Sequence, residues 1–213
     1  MNPFWTYGDL AALTLLFVPC ALLSRLLPVS EIARQVAGYG VWLFLVPAWL
    51  YARHRQWMNW GVSKAALLVG LFAGLVLMAI ATAIAQLTQY PDIDTPLRRL
   101  IDARRELPMI AFAVVVAGPV TEELYFRGLA QPLLTRSFGP FTGNLGVAIP
   151  FGILHADQLQ MSVPNVALIV MAGAGFGAIR YRLDSLFAAI VMHSVYNGLL
   201  LGGYLLGKNL LHG

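Results

Sequence analysis

The chain has 213 residues, 59% of them hydrophobic and 11% charged, with a mean hydropathy of +0.72 and a formal net charge of +4. A water-soluble domain carries about 25% charged residues, so this composition excludes an ordinary soluble globule and requires lipid over much of the surface. No Lys/Arg run is long enough, or interleaved with aromatics, to make a nucleic-acid face; the basic residues read as membrane-flanking charges.

A spanning helix needs about 20 mostly apolar residues. Seven segments qualify, at approximately 9–27, 36–52, 65–88, 108–134, 144–160, 163–180 and 184–206. The expected fold is all-α: one polytopic transmembrane helix bundle over residues 1–213, with seven spans, or eight if the last breaks at Gly202-Gly203. The stretch Met1 to Asp9 has no Lys or Arg and no small-residue cleavage site, so the first helix is expected to be retained. That helix holds the single cysteine, Cys20, in an apolar run; one thiol excludes an internal disulfide and a cysteine metal cluster. The link Arg53 to Lys64 is basic and Trp-rich, as at a headgroup interface. The link Tyr90 to Leu107 holds Asp92, Asp94 and the charged run Arg98 to Glu106, expected as a short amphipathic helix lying on the membrane. Arg136 to Gly143 is a Gly/Pro turn, and Arg180 to Asp184 a very tight one. Basic residues divide six to seven between the two faces, so charge asymmetry does not fix orientation.

A charge inside a span costs about 2.5–3.5 kcal/mol even on the lenient insertion scale. The first three segments avoid that cost almost entirely. The fourth carries Glu122, Glu123 and Arg127, the fifth His155 and Asp157, and the seventh His193 and Asn197. Glu123 and Arg127 stand i,i+4 and can pair, which leaves Glu122 about 100° round the helix in need of another partner. His193 and Asn197 are also i,i+4 and offer two directed N–H donors to one point. Counted from the loops near 135, 143 and 184, Glu122, His155 and His193 lie roughly 14–20 Å deep at about 1.5 Å per residue, in one layer. A carboxylate and an imidazole on different helices can share a water, and the His/Asn pair can receive the oxyanion formed when that water attacks an amide. Those are the parts for hydrolysis without a covalent nucleophile. The layer is expected to open toward the face of the Arg98 to Glu106 helix, because His155 lies near that end of its segment.

Three motifs resemble those of a known family. Glu122-Glu123-Leu124-Tyr125-Phe126-Arg127 is similar to its E-E-x-x-x-R motif, Phe151 to His155 to its F-x-x-x-H, and His193 to Asn197 to its H-x-x-x-N. The family is the CPBP group, the CAAX protease and bacteriocin-processing proteins: intramembrane glutamic endopeptidases that include the Ras-converting enzymes. The resemblance covers a motif-bearing core from about 109 to 200. It implies a helical membrane bundle, commonly of eight helices, with Glu122 as catalytic base and His155 its partner on the water. It further implies His193 and Asn197 as the oxyanion pair, and Glu123 and Arg127 as support. The partners it implies are a peptide or protein substrate, lipidated in the eukaryotic members, and the lipid bilayer. The location is the plasma (inner) membrane for a prokaryotic chain.

Other readings stand beside this one. No cofactor is expected, but one Glu and two His can hold zinc with a water, which would make a metalloprotease without an HExxH motif. Buried Glu and His also serve proton-coupled transporters, although no two-fold repeat is present, and a peptide-binding immunity protein needs no catalysis. Asp157 reads as a span-end residue, Gly173, Gly175 and Gly177 as a close-packing face, and Arg180 and Arg182 as interface anchors. His54 and His212 lie outside the spans and carry no case.

Overall fold

A computed structural model describes residues 3–24, 26, 28–88, 93–103 and 106–212, with the side chains of 17, 18, 20–24 and 208–212 outside the description. The expectations for Cys20, Asp92, Arg104, Arg105 and His212 fall outside it. Among the described residues the chain is all-helical, without strands. The helices are α1 (Tyr7–Ser24), α2 (Glu31–His54), α3 (Lys64–Leu87), α4 (Pro96–Asp102), α5 (Leu107–Phe138), α6 (Pro140–Leu154), α7 (Val163–Leu183) and α8 (Leu186–His212). Ser30, Ser63 and Thr95 cap α2, α3 and α4, each side chain accepting from the backbone N–H three residues on.

Among the described residues five helices, α2, α3, α5, α7 and α8, are long and apolar enough to cross a membrane. The segment predicted at 144–160 falls on the shorter apolar helix Pro140–Leu154; for the one predicted at 9–27, on α1, the described side chains cover only the apolar stretch Tyr7–Leu16. The helix predicted from Arg98 to Glu106 is α4. It ends at Asp102, and Glu106 turns the chain into α5 with a left-handed φ of 58°. The fifth predicted segment stops six residues early. Asp157, Gln158 and Gln160 cannot extend an apolar helix, and Gln160 and Met161 adopt left-handed φ of 51° and 57° to turn into α7. At about 1.5 Å per residue the 15 residues of α6 reach roughly 22 Å, short of a bilayer core of about 30 Å. His155, expected inside a span, therefore sits on the end of a helix, in a turn.

The helix α8 is central. It packs most extensively on α3 and also against α7 and α5, while α6 packs between α7 and the C-terminal half of α5. Small residues permit the closest approach. A Cβ on Gly70 would lie 2.8 Å from the Ala188 carbonyl, and one on Gly74 2.7 Å from the Val195 side chain. With Ala66, these form a small-xxx-small stripe on α3. Gly74→Val is accordingly expected to destabilise the bundle by about 2 kcal/mol, read as a lower unfolding midpoint in detergent.

One charge in the N-terminal half was not anticipated. Asp9, the first residue of the first predicted segment, is fully buried. It accepts from the Thr6 backbone (2.9 Å), Trp49 Nε1 (3.1 Å) and Arg53 Nε (2.9 Å), and pairs with His54 Nε2 (2.9 Å). This knot ties the start of α1 to the end of α2 and gives His54 a structural role. Trp5, donating to the Leu129 carbonyl at 3.0 Å, then fixes the N-terminal segment to α5.

Candidate active site

Two π-turns in α5, Ala113–Ala117 and Leu124–Ala130, bracket the acidic pair. Each ends just before a proline: Pro119 follows the first and Pro132 the second. Proline has no N–H, so the ladder slips by one residue, with Gly118 N–H bonding to the Ala113 carbonyl and Gln131 N–H to Phe126. Each slip orphans one carbonyl, that of Val114 and that of Arg127. Another helix satisfies each orphan. Asn197 Nδ2 on α8 donates to Val114 (2.9 Å), and Arg180 Nε on α7 donates to Arg127 (3.3 Å).

Arg180 is thus buried in the bundle, 6% exposed, and is not an interface anchor. Its Nη1 also donates to Asp184 at 2.7 Å, and this bond holds the Asp184 carboxyl below the usual carboxylate range. Arg182 is exposed. Gly173 and Gly177 do form a close-packing face. Their carbonyls accept from Arg127 Nη2 (2.7 Å) and Gln131 Nε2 (2.8 Å), and a Cβ at Gly177 would collide with the Asn144 amide.

Glu123 and Arg127 are both fully buried and pair at 2.9 Å, as the i,i+4 spacing predicts. The guanidinium lies over the Phe151, Phe176 and Phe126 rings, 4.5, 5.5 and 5.7 Å from their centroids. The same Glu123 oxygen takes His193 Nδ1 at 2.9 Å, a contact that spacing did not indicate. His193 stacks on Phe176, with centroids 4.4 Å apart and planes 17° apart. The imidazole is therefore fixed by a carboxylate on its edge and a ring on its face.

Glu122 points the other way, toward two imidazoles. Its Oε2 lies 3.9 Å from His155 Nε2 and 3.9 Å from His193 Nε2. His155 Nδ1 donates to the Phe151 carbonyl at 2.7 Å, which leaves Nε2 of the neutral ring as an acceptor facing Glu122. The Phe-to-His spacing of four is thereby explained: the Phe151 ring packs on Arg127 while its carbonyl sets the His155 tautomer. Glu122 and His155 are about a quarter exposed, whereas His193 and Glu123 are buried behind them. Asn197 sits one turn beyond His193 with one amide N–H committed to Val114. Asp157 lies in the turn after α6 and has no place in this cluster. The two mapped surface clefts, one between α6 and α7 and one between α3, α7 and α8, are lined by none of Glu122, His155 or His193.

Three helices thus bring their ionisable groups to one place. Residues 104–199 match the family model of type II CAAX prenyl endopeptidases, Rce1-like. That stretch of the chain is similar to the Rce1-like domain. It begins just before α5 and ends within α8, so Glu122, His155, His193 and Asn197 all belong to it, while α1 to α4 lie outside. Comparison with curated proteins and with solved structures gave no match. The Rce1-like domain supports a membrane protease, and the five long apolar helices a multi-pass integral membrane protein. Among the described residues no group of three or more His, Cys, Asp or Glu is arranged to hold a metal ion.

Proposed function

We propose that the chain is an intramembrane endopeptidase that hydrolyses a peptide bond with a water activated by Glu122 and His155. The observation that carries the reading is the spacing at Glu122. A separation of 3.9 Å to each imidazole is too long for a direct hydrogen bond and short enough for one water to bond the carboxylate and a ring nitrogen together. Glu122 takes the proton of that water as the oxygen attacks the carbonyl carbon of the peptide, and later returns it to the leaving amine. His155, its Nδ1–H held by Phe151, accepts from the same water and sets its direction.

The oxyanion falls to His193 and Asn197. With Nδ1 donating to Glu123, His193 offers an Nε2–H only as the doubly protonated ring. Glu123 then has two tasks, anchoring Arg127 and orienting His193. Asn197 holds the first π-turn with one N–H and has the other left for the oxyanion. The substrate is a peptide or protein segment reaching the Glu122 and His155 side from within the bilayer; a prenylated C-terminus is one such substrate. Gln160, in the turn after His155, donates to the Asp94 carbonyl at 2.6 Å. This supports an opening beside α4. For a prokaryotic chain the location is the inner membrane.

Zinc at the same three groups is the second reading. Bonds of about 2.0–2.2 Å place tetrahedral ligand atoms about 3.3 Å apart, so the site would have to contract to hold the ion. The deciding experiment incubates purified protein in detergent with a peptide library that includes farnesylated CAAX-type members. Cleavage by wild type that persists in chelator and is lost on His155→Ala fits the glutamic reading. Loss to chelator with recovery on added zinc fits the second. Cleavage undiminished in His155→Ala defeats both.

A further inference from the structure

The Rce1-like match leaves out α2, yet α2 reaches the acidic pair. The Tyr39 carbonyl accepts from Thr121 Oγ1 at 3.5 Å, one residue before Glu122. Gly118 leaves open the space above. A Cβ built there would lie 3.5 Å from the Tyr39 phenol oxygen and 3.6 Å from Glu122 Oε1, so the two oxygens flank the same small volume. The two oxygens of Glu122 therefore have different neighbours. Oε2 faces His155 and His193; Oε1 faces the side on which Tyr39 stands. The phenol is itself oriented: its oxygen accepts from Gln35 Nε2 at 2.8 Å, one turn earlier on α2, which leaves its O–H to donate elsewhere. Tyr39 packs against the cluster of Ile32, Ile101, Ile110, Ala113 and Leu201, which restricts where that O–H can go.

We infer that Tyr39 is a positioning residue for Glu122: its phenol O–H, through one water, bonds Oε1 and turns Oε2 toward the imidazoles. The inference rests on Glu122 being the base, but the contact itself can be tested without any substrate. A donor to a carboxylate favours the ionised form and costs the protonated one. Dicyclohexylcarbodiimide modifies protonated carboxyls in apolar surroundings, so the rate of its addition to Glu122 reports the donor.

The experiment uses the full chain in detergent, with labelling at Glu122 read by mass spectrometry. Tyr39→Phe is expected to label about tenfold faster than wild type, the change from losing one charge-assisted hydrogen bond. Gln35→Leu, which leaves the phenol in place but unoriented, is expected to label about twofold faster and covers the case in which Tyr39→Phe fails to fold. On a peptide that wild type cleaves, Tyr39→Phe lowers kcat about tenfold with KM unchanged, a split that a loss of packing alone does not give. Wild-type labelling rates in both variants overturn the inference. A Glu122→Gln protein that still cleaves the peptide overturns the hydrolase reading instead, and the labelling result stands apart from it.

Discussion

Glu122→Gln is expected to abolish peptide cleavage, lowering kcat by about a thousandfold or more, while the protein still inserts and purifies as wild type does. General-base assistance contributes about 10²–10⁴-fold. An amide in place of the carboxylate keeps the size and removes both the negative charge and the proton acceptor. The environment argues that the fold will tolerate it. Glu122 makes no direct hydrogen bond shorter than its 3.9 Å approaches to the two histidines, and it is about a quarter exposed. The measurement is a steady-state assay on a cleaved library peptide, with the unfolding midpoint measured alongside. Wild-type turnover would remove Glu122 from the mechanism. Lost turnover together with a collapsed midpoint would mean that the carboxylate is structural.

The opposite pattern is expected five residues on. Arg127→Met should destabilise the protein by about 3–5 kcal/mol, the cost of leaving a buried charge without its partner. Arg127 is fully buried and bridges Glu123, the Gly173 carbonyl and three phenylalanine rings, so α5, α6 and α7 all lose a contact. Arg127→Lys should recover little. An ammonium cannot bond Glu123 and Gly173 as a fork while lying flat over Phe151. A large fall in the unfolding midpoint, or aggregation on size-exclusion chromatography, is the expected readout. Near-native stability of Arg127→Met would show that His193 alone compensates Glu123.

The site was legible in the sequence wherever one helix was enough to place two groups. Glu123 and Arg127 meet because they are four apart, and Glu122 faces elsewhere because it is next to one of them. That His155 and His193 converge on Glu122 could be approached only through a depth count, which assumed α6 to run beyond residue 154, whereas the imidazole sits on the end of the helix. What could not be read were pairings across the bundle. The burial of Asp9 is one, because its partners Trp49, Arg53 and His54 are forty or more residues away. The double use of Glu123 by Arg127 and His193 was hidden for the same reason. Arg180 looked like a headgroup anchor because burial of an arginine depends on which carbonyl awaits it. The proline positions carried the missing signal: Pro119 and Pro132 mark where α5 has carbonyls to offer.

Those carbonyls bear on how the protein is made. During synthesis α5 enters the bilayer before α7 and α8 exist. At that stage the oxygens of Val114 and Arg127 have neither Asn197 nor Arg180, and Glu123 lacks His193. Bare peptide oxygens in hydrocarbon are costly, so the nascent α5 should remain hydrated or shielded by the insertion machinery until α7 and α8 arrive. On the proposed reading, the site therefore stays incomplete until α8 has been made, because His193 and Asn197 both come from it. Ribosome-bound chains arrested before residue 186 should show cysteines placed near 114 and 127 open to aqueous reagents, and full-length chains should show them closed.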